Sequence, residues 1–505
     1  MLFTEPTFLF LFLPVLLALY FATFSRTHGA YGNWLLLVAS IVFYVKGGGA
    51  FTWLMLGSIA FNYWMAIAVD RLRGTPRGRT ILAAAVAVDL GVLGVFKYAN
   101  FFADNVNALF LVLRVHPLVV PRVLLPIGIS FFTFHAISYV VDVYRRDATA
   151  QKSPVHAALY LLLFPQLIAG PIIRYRDLAD QLARRVVNLD DFAYGVRRFV
   201  VGLAKKVLIA NVVAVPADRI FAMPFEQLSA GHAWLGLVCY TLQIYFDFSG
   251  YSDMAIGLGR MFGFRFPENF RYPYIASSVQ DFWRRWHISL STWFRDYLYV
   301  PLGGNRVSPW RVYRNLVIVF FLCGLWHGAS WNFVIWGLWH GMFLVIERAT
   351  RDRRRTTPAH LPITTSPHHR ITTSPLHPIT TFTQHLYALA VAMIGWVFFR
   401  ADTLPGALAF LKAMAGLGPA APTTYTVWWY LTPELWIALA AGAIGSAPVV
   451  PALARWRDSA MEKAPGSGAA WAFGLASTAS LAALLVASVT QMAARTYNPF
   501  IYFRF

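Results

Sequence analysis

The chain is organised as long apolar runs that alternate with short polar and basic segments. A helix of about 20 apolar residues crosses the hydrocarbon layer of a bilayer and satisfies its backbone hydrogen bonds internally. The candidate runs are Thr7–Thr23, Trp34–Val45, Phe51–Val69, Ile81–Phe96, Val123–Val141, His156–Ile173, Phe199–Val215, Trp234–Phe246, Val312–Leu325, Phe333–Ile346, Leu386–Phe399, Leu435–Ala454 and Ala469–Met492. They predict roughly eleven to thirteen membrane helices, several of which are too short to cross upright.

Basic residues between the runs set the expected orientation, because Lys and Arg anchor cytoplasmic loops. The loop after the third run carries arginines at 71, 73, 77 and 79 and is expected to be cytoplasmic. A full crossing by His156–Ile173 would then place the many arginines that follow it outside. Pro165, Gly170 and Pro171 break this run, so we predict a re-entrant hairpin that returns to the cytoplasm. Such broken backbone requires adjacent protein or a water-filled cavity.

Two polar segments between the runs differ in character. Asp247–Arg314 interleaves aromatic and basic residues, so it is expected to form amphipathic helices that cover the cytoplasmic mouth of a cavity. Residues 356–385 carry octads reading PITTSPHH, RITTSPLH and PITTFTQH, which predict a low-complexity cytoplasmic linker within a single integral-membrane domain spanning residues 1–505. Histidines spaced eight apart in a flexible linker lack the preorganisation of a metal site, and no metal is expected.

Composition removes several classes of protein. The 505 residues are 58% hydrophobic and 13% charged, with a mean hydropathy of +0.53, which excludes a cytosolic globular protein. The two cysteines, Cys239 and Cys323, both lie in apolar runs and exclude a disulfide framework. The net charge of +20 comes from short clusters between apolar runs, which favours cytoplasmic loops over a nucleic-acid surface.

His327 is the strongest candidate for chemistry, because ionisable residues inside a membrane are costly and mark functional sites by default. It stands in CGLWHGASW, after the run Val312–Leu325, which covers only about 21 Å as a helix. Glycines on both sides permit close backbone approach, and Trp326 and Trp331 are expected to wall a pocket. A core histidine that hydrogen-bonds a neighbouring helix fits the same features equally well.

The other polar residues of the apolar regions are weaker candidates. His287, in WRRWHIS, is either a structural interfacial histidine or a group that receives a proton or orients a substrate. His135 and His340 lie in aromatic helices, and packing inside the helix pair is the default for His340. Asp247 and Asp253 are expected to cap helices or to pair with nearby arginines. No GxSxG elbow, Walker A loop or HExxH motif is present, so hydrolase, ATPase and metalloprotease functions lose support.

Three long motifs carry a resemblance to a known family. They read FDFSGYSDMAIGLGRMFGFRFPENFRYPY, QDFWRRWHISLSTWFRDYLYVPLGGNR and CGLWHGASWNFVIWGLWHG, with further support from FPQLIAGPIIRY and GWVFFRAD. The chain resembles the membrane-bound O-acyltransferases (MBOAT), and specifically the bacterial alginate O-acetyltransferase branch. The likeness runs over nearly the whole chain, except the octad linker and residues 411–468.

The resemblance implies a fold and an activity. It implies an all-α polytopic membrane protein with helices around a central tunnel, a donor that enters from the cytoplasm and an acceptor on the outer side. It carries the catalytic histidine of the family onto His327 and the second characteristic histidine onto His287. We hypothesise that His327 removes the acceptor proton and that His287 orients donor or acceptor. Arg284, Arg285 and Arg295 are candidates to bind the phosphates of the donor, against an alternative role as positive-inside anchors.

The same resemblance implies the substrates and partners. The expected donor is acetyl-CoA or another acyl thioester, with no permanently bound cofactor, and Lys205 and Lys206 are further candidates to attract its phosphates. The expected partners are an extracytoplasmic SGNH-type acetyltransferase, the exported polysaccharide and the lipid bilayer of the bacterial inner membrane. Acceptors such as cellulose, peptidoglycan or teichoic acid, and a non-catalytic transporter or acyl conduit, remain alternatives at this stage.

Overall fold

The computed structural model describes residues 1–27, 30–356, 378–418, 425–463 and 468–494, and every regular element within those ranges is a helix. The α-helices are α1 Leu13–Thr27, α2 Ala30–Gly48, α3 Phe51–Leu72, α4 Pro76–Val112, α5 Ile129–Arg145, α6 Pro154–Leu162, α7 Phe164–Leu167, α8 Tyr175–Ala183, α9 Leu189–Ala204, α10 Asn211–Phe221, α11 Ala230–Met261, α12 Val279–Arg285, α13 Ile288–Phe294, α14 Pro309–His327, α15 Trp331–Thr356, α16 Pro378–Arg400, α17 Leu404–Met414, α18 Val427–Tyr430, α19 Pro433–Gly445, α20 Val449–Lys463 and α21 Gly468–Ala494. Short π-helical stretches cover Phe8–Phe12, Lys205–Ala210 and Arg295–Tyr299. The prediction of an all-α protein is confirmed.

Among the described residues, five helices are long and apolar enough to cross a membrane. They cover Phe51–Leu72, Pro76–Val112, Leu189–Phe221, Phe382–Arg400 and Trp471–Ala494. A sixth span arises if Pro433–Gly445 and Val449–Ser459, which are bent by 64°, form one broken crossing. The chain is therefore a multi-pass membrane protein, as its hydrophobic pattern predicts. The total of eleven to thirteen membrane helices and the central tunnel stay predictions.

The chain divides into two compact units, each built from separate segments. Unit 1 comprises Met1–Val212, Gln243–Asn269 and Arg457–Phe505. Unit 2 comprises Val213–Leu242 and Phe270–Trp456. The two predicted site histidines, His287 and His327, and the three predicted donor-binding arginines lie in unit 2. The single domain predicted for residues 1–505 stays a prediction.

The run His156–Ile173 of unit 1 is broken, as its prolines and glycine predict. α6 ends at Leu162, α7 covers only four residues, and the chain then continues without helix to Ile173. A nine-residue helix such as α6 rises about 14 Å, roughly half of the hydrocarbon thickness, so it does not cross alone. The break in the helix is confirmed, whereas its return to the cytoplasm stays a prediction.

His135 and Tyr160 bind the backbone where this broken segment ends. The Ile173 N–H donates to His135 Nε2 at 3.1 Å, and the Tyr160 hydroxyl donates to the Ile173 carbonyl at 2.9 Å. Ser138 Oγ lies 2.8 Å from the same hydroxyl. Because a buried peptide group without a partner costs about 1–3 kcal/mol, these contacts give His135 a structural role.

Four glycines bring α9 and α11 together within unit 1. A Cβ at Gly202 would lie 2.6 Å from the Gly250 carbonyl oxygen, and a Cβ at Gly257 would lie 2.6 Å from the Gly195 carbonyl oxygen. Real Cβ contacts are essentially never shorter than 3.0 Å, so these backbones lie closer than any side chain allows. On each helix the glycines are seven residues apart, or about two turns, which places both contacts on one face.

Charge pairs join α11 to α9 and to the π-helical stretch that follows it. Lys206 Nζ lies 2.6 Å from Asp247 Oδ1, and both side chains are at most 3% exposed. Asp253 pairs with Lys205 at 2.7 Å and with Arg198 at 2.7 Å. Both aspartates lie inside α11, so the expectation of helix capping is wrong. Pairing with an arginine is confirmed for Asp253, through Arg198, whereas Asp247 pairs with Lys206. Lys205 and Lys206 are engaged by carboxylates, which makes them poor candidates for donor phosphates.

The predicted linker falls largely outside the described residues. α15 ends at Thr356 and α16 begins at Pro378, so residues 357–377 of the predicted 356–385 segment lie outside the described ranges. The remainder, up to His385, forms the first two turns of α16. The helix therefore starts before Leu386, because the apolar run marks only the hydrophobic part of a helix that begins in polar sequence.

Candidate active site

The α14–α15 hairpin of unit 2 positions His327. α14 ends at His327, Gly328 caps it in an extended conformation, and α15 starts three residues later. A Cβ at Gly324 would collide with the Phe333 carbonyl oxygen, and a Cβ at Gly328 would collide with the Phe333 ring. The glycines around His327 therefore allow the close backbone approach that the sequence predicts.

Aromatic rings enclose the His327 imidazole, which is 4% exposed. The ring centroids of Trp326 and Trp336 both lie 4.9 Å from it, and that of Phe399 lies 5.2 Å away. Trp326 thus contacts the imidazole, and its place in a pocket wall stays a prediction. Trp331 begins α15 and is 55% exposed, and its role in the same wall also stays a prediction. Trp336, further along α15, is a contact of His327 that the sequence did not indicate.

His287 lies between α12 and α13 in a backbone conformation that residues other than glycine seldom adopt. Its φ is +43°, in the left-handed region, and its side chain is fully buried. Backbone strain of this kind often accompanies a functional constraint. Burial lowers the pKa of His287 to about 3, so the imidazole is neutral at ordinary pH. Its Nδ1 lies 3.5 Å from Ser289 Oγ.

The fold brings the two histidines together although 40 positions separate them. Their ring centroids are 6.5 Å apart. The Trp326 ring contacts both, at 4.9 Å from His327 and 6.0 Å from His287. At this separation both imidazoles can contact one substrate group of a few atoms.

A cavity of about 230 Å³ lies in the same unit. It reaches Cys323, which stands one helical turn before His327 on α14. The polar and basic part of its lining consists of Gln280, Arg284, Ser291, Arg295 and Tyr299. The apolar part consists of Trp283, Leu290, Phe294, Leu316, Val319, Phe320, Cys323 and Leu344. The cavity is thus basic at one part of its lining and apolar at another.

Two of the three predicted donor-binding arginines line this cavity. Arg284 and Arg295 contribute to the wall. Arg285 does not: its Nε bonds Asp281 Oδ2 at 2.9 Å, within α12. Arg295 also pairs with Asp296 at 2.7 Å while remaining 60% exposed, so its guanidinium is accessible.

His340 belongs to the same aromatic cluster, which sequence reasoning did not anticipate. The Trp336 ring lies 4.9 Å from His327 and 5.2 Å from His340. Trp336 and His340 are four residues apart on α15, and this spacing, which places both on one helix face, is the signal that could have joined them. Phe399 of α16 lies in the GWVFFRAD motif, but sequence reasoning assigned it no role at the site.

The comparison with known proteins matches this site to a family. Residues 122–366 match the family described as MBOAT, membrane-bound O-acyltransferase family. This range contains the two histidines, His287 and His327, and the three arginines predicted for the site. The chain is similar to "Probable alginate O-acetylase AlgI" of Azotobacter vinelandii, at 43% identity over 528 residues and 100% of both chains. The protein of the same name from Pseudomonas aeruginosa is 42% identical over 553 residues and 100% of both chains.

A further relative is named for a different substrate. "Peptidoglycan O-acetyltransferase" of Helicobacter pylori is 38% identical over 446 residues, which cover 83% of this chain and 80% of that one. Full-length likeness at this level, with a family match that spans both histidines, shows that the chain belongs to the membrane-bound O-acyltransferase family.

Proposed function

We propose that this enzyme takes an acetyl group from a cytoplasmic thioester and passes it across the bacterial inner membrane for O-acetylation of an exported alginate-type polysaccharide. The observation that carries the proposal is the meeting of His327 and His287 in one buried aromatic cluster, with ring centroids 6.5 Å apart. An SGNH-type acetyltransferase on the outer side is the partner that would complete the transfer to polymer.

The proposed reaction is acyl transfer with His327 as general base. One His327 nitrogen removes the proton of the acceptor hydroxyl, and the oxygen attacks the carbonyl carbon of the thioester. The carbon–sulfur bond breaks, the thiolate leaves, and the proton held by the imidazole passes to the thiolate. The aromatic rings around His327 keep water away, which protects the thioester from hydrolysis.

His287 has a different role in this scheme. Because burial holds its pKa far below neutrality, it stays uncharged and can accept or donate a hydrogen bond without titrating. We assign to it the orientation of donor or acceptor against His327.

The cavity lined by Arg284 and Arg295 is the proposed donor site. Guanidinium groups bind phosphate in bidentate fashion, and the apolar wall suits the uncharged arm between the phosphate and the thioester. Arg285, which is held by Asp281, is expected to contribute less. Acetyl-CoA and an acyl-carrier thioester share this chemistry.

The polymer is the least constrained part of the proposal. Alginate is favoured by the full-length likeness to the alginate O-acetylases. Peptidoglycan is the second candidate, favoured by the Helicobacter pylori relative. Both acceptors offer a sugar hydroxyl, so the chemistry assigned to His327 is the same.

Acetylation of the exported polymer in cells tests the histidine roles. His327→Ala is expected to abolish base-labile acetyl on the polymer at normal membrane abundance, and His287→Ala to leave a residual level. His232→Ala is the matched control, since His232 is a buried histidine of unit 2 that bonds Ser229 outside the cluster. Equal acetylation in His327→Ala and wild type contradicts the proposal.

Thiol labelling tests the donor site. Cys323 lines the cavity, and the other cysteine, Cys239, can be replaced by serine to leave one reporter. Acetyl-CoA is expected to slow the formation of a mixed disulfide between Cys323 and a methanethiosulfonate reagent, whereas S-acetyl-N-acetylcysteamine, which lacks phosphate, is expected to protect far less. Arg284→Gln and Arg295→Gln should remove the difference. Unchanged labelling with saturating acetyl-CoA and carrier thioester places the donor elsewhere.

A further inference from the structure

Aromatic rings from three helices of unit 2 enclose His340, and the group formed by His340, Phe282, Trp283, Trp336 and Trp396 is called the chamber below. The His340 imidazole stacks on Phe282, with centroids 6.0 Å apart and planes at 6°. Trp283 meets it edge-on at 5.3 Å, Trp336 at 5.2 Å, and Trp396 lies 6.5 Å away. The His340 side chain is fully buried.

The polar atoms of this chamber have no hydrogen-bond partner among the residues that the structure describes. They are His340 Nδ1 and Nε2 and the indole Nε1 atoms of Trp283, Trp336 and Trp396. The three tryptophans are at least nine-tenths buried, like His340 itself. Native proteins leave few buried polar groups unpaired, so five in one cluster require an explanation.

Packing alone does not explain a histidine at this position. Unmet hydrogen-bonding groups in a dry interior destabilise a protein, and an apolar ring of similar shape avoids that cost. A phenylalanine at 340 would keep the stacking on Phe282 and leave no nitrogen unpaired. A histidine that lowers stability in its place points to a role for its nitrogens.

The surroundings of Nε2 point the same way. A Cβ at position 395 would lie 2.8 Å from His340 Nε2. Because residue 395 is glycine, no side chain of α16 fills the space at that nitrogen. Glycine at 395 therefore lets the α16 backbone approach this nitrogen without placing a side-chain atom on it.

The chamber adjoins both parts of the proposed active site. The Trp336 ring contacts His340 on one side and His327 on another. Trp283 lines the cavity assigned to the donor and also contacts His340. The unpaired groups thus stand between the cavity and the proposed base.

We propose that His340 and the indole N–H groups of Trp283, Trp336 and Trp396 form a polar subsite that holds a neutral hydroxyl group next to His327. Up to two of the indoles donate hydrogen bonds to the hydroxyl oxygen, and the unprotonated imidazole nitrogen accepts the hydroxyl proton in a hydrogen bond. The groups on offer carry no charge, which suits a hydroxyl better than a phosphate or carboxylate. The hydroxyl belongs to the acceptor or to a bound water, and the inference rests on the function proposed for His327.

The test separates the nitrogens of His340 from its ring. His340→Phe keeps the stacking and is expected to lower polymer acetylation about tenfold, roughly the loss of one hydrogen bond, at an unchanged or higher thermal unfolding midpoint. His340→Gln, which keeps hydrogen-bonding capacity, is expected to retain more activity than His340→Phe. Trp336→Phe should lose activity as well.

Trp339→Phe is the matched control, because the Trp339 indole is already paired with the Val391 carbonyl at 2.9 Å, outside the chamber. It is expected to reduce stability and leave acetylation per molecule unchanged. Equal acetylation by His340→Phe and wild type, or equal losses in His340→Phe and His340→Gln, overturns the proposal.

Two rates distinguish the two sources of the hydroxyl: acetyl transfer from acetyl-CoA to polymer, and thiol release from acetyl-CoA supplied without polymer. If the subsite holds the acceptor, His340→Phe slows transfer to polymer but not thiol release to water. If it holds a bound water, both rates fall. His327→Ala is measured in parallel: retained activity there refutes the proposed function, whereas its loss together with full activity of His340→Phe refutes only the subsite.

Discussion

Replacing Gly202 by alanine perturbs the closest helix contact in unit 1. The new Cβ would lie 2.6 Å from the Gly250 carbonyl oxygen and 2.7 Å from the Met254 nitrogen. Both neighbours are backbone atoms of α11, so no side chain can rotate away. α9 and α11 therefore have to separate until these contacts reach ordinary van der Waals distances.

Two opposing effects set the size of the change. Overpacking of a closely packed interface costs about 1–3 kcal/mol. Alanine in place of glycine inside a helix returns up to about 1 kcal/mol. Separation of the helices also stretches the pair between Arg198 and Asp253, which joins the same two helices. We expect a net destabilisation of about 1–2 kcal/mol, because the clash is with backbone and exceeds the gain in propensity.

The assay is the thermal unfolding midpoint of the purified protein in detergent, with Gly91→Ala as control. Gly91 lies in α4 of the same unit, and a Cβ there meets no heavy atom within 4 Å. Only the propensity effect then remains, so Gly91→Ala is expected to leave the midpoint unchanged or to raise it. Gly202→Ala is expected to lower it by about 1–2 °C for each kcal/mol, because the entropy of unfolding grows with chain length.

The test is the comparison between Gly202→Ala, which is expected to lower the unfolding midpoint, and Gly91→Ala, which is expected to leave it unchanged or raise it. Gly250→Ala should behave like Gly202→Ala, since it meets the same contact from α11. If Gly202→Ala raised the midpoint as Gly91→Ala does, the close approach of α9 and α11 would not be a constraint. The reasoning from Cβ contacts would then be refuted.

Three further changes probe other parts of the fold. Lys206→Met removes the cation of a buried pair and is expected to lower the stability measured by thermal unfolding by about 3–5 kcal/mol. The double variant with Asp247→Leu should restore most of that loss, and no loss in the single variant contradicts the pairing. Tyr160→Phe takes away the hydroxyl that donates to the Ile173 carbonyl and should cost about 1–3 kcal/mol, so an unchanged midpoint refutes that role. Deletion of residues 370–377 should change membrane abundance and polymer acetylation little, because loop-closure entropy varies slowly with length. If acetylation is lost at normal abundance, the segment is instead a docking site.

The class of protein and the broken segment could be predicted from the sequence because both depend on local chemistry. Long apolar runs predict helices in a membrane irrespective of their neighbours. Pro165 and the Gly170–Pro171 pair disfavour a continuous helix through local backbone chemistry, and α6 and α7 end at Leu162 and Leu167. The starting point of α16 was missed because polar residues can begin a helix whose apolar part comes later.

Residues whose role depends on tertiary packing were harder to predict. Trp331 and Trp336 both lie on α15, and only the rotation of α15 against α14 decides that Trp336 faces His327. Lys205 and Lys206 resemble cytoplasmic anchors until α11 brings carboxylates to them. His340 was assigned to packing because its unpaired nitrogens become visible only when its neighbours are known.

The central claim, that His327 is the catalytic base, is tested most directly by the rate at which the purified protein transfers acetyl from radiolabelled acetyl-CoA to the acceptor. This rate is compared between wild type and His327→Ala. Both proteins are measured at matched amounts of folded material, with thermal unfolding as the check. A general base contributes about 10²- to 10⁴-fold, so the variant is expected to be slower by at least about 10²-fold. A rate within a few-fold of wild type would contradict the assignment of His327 as the catalytic base.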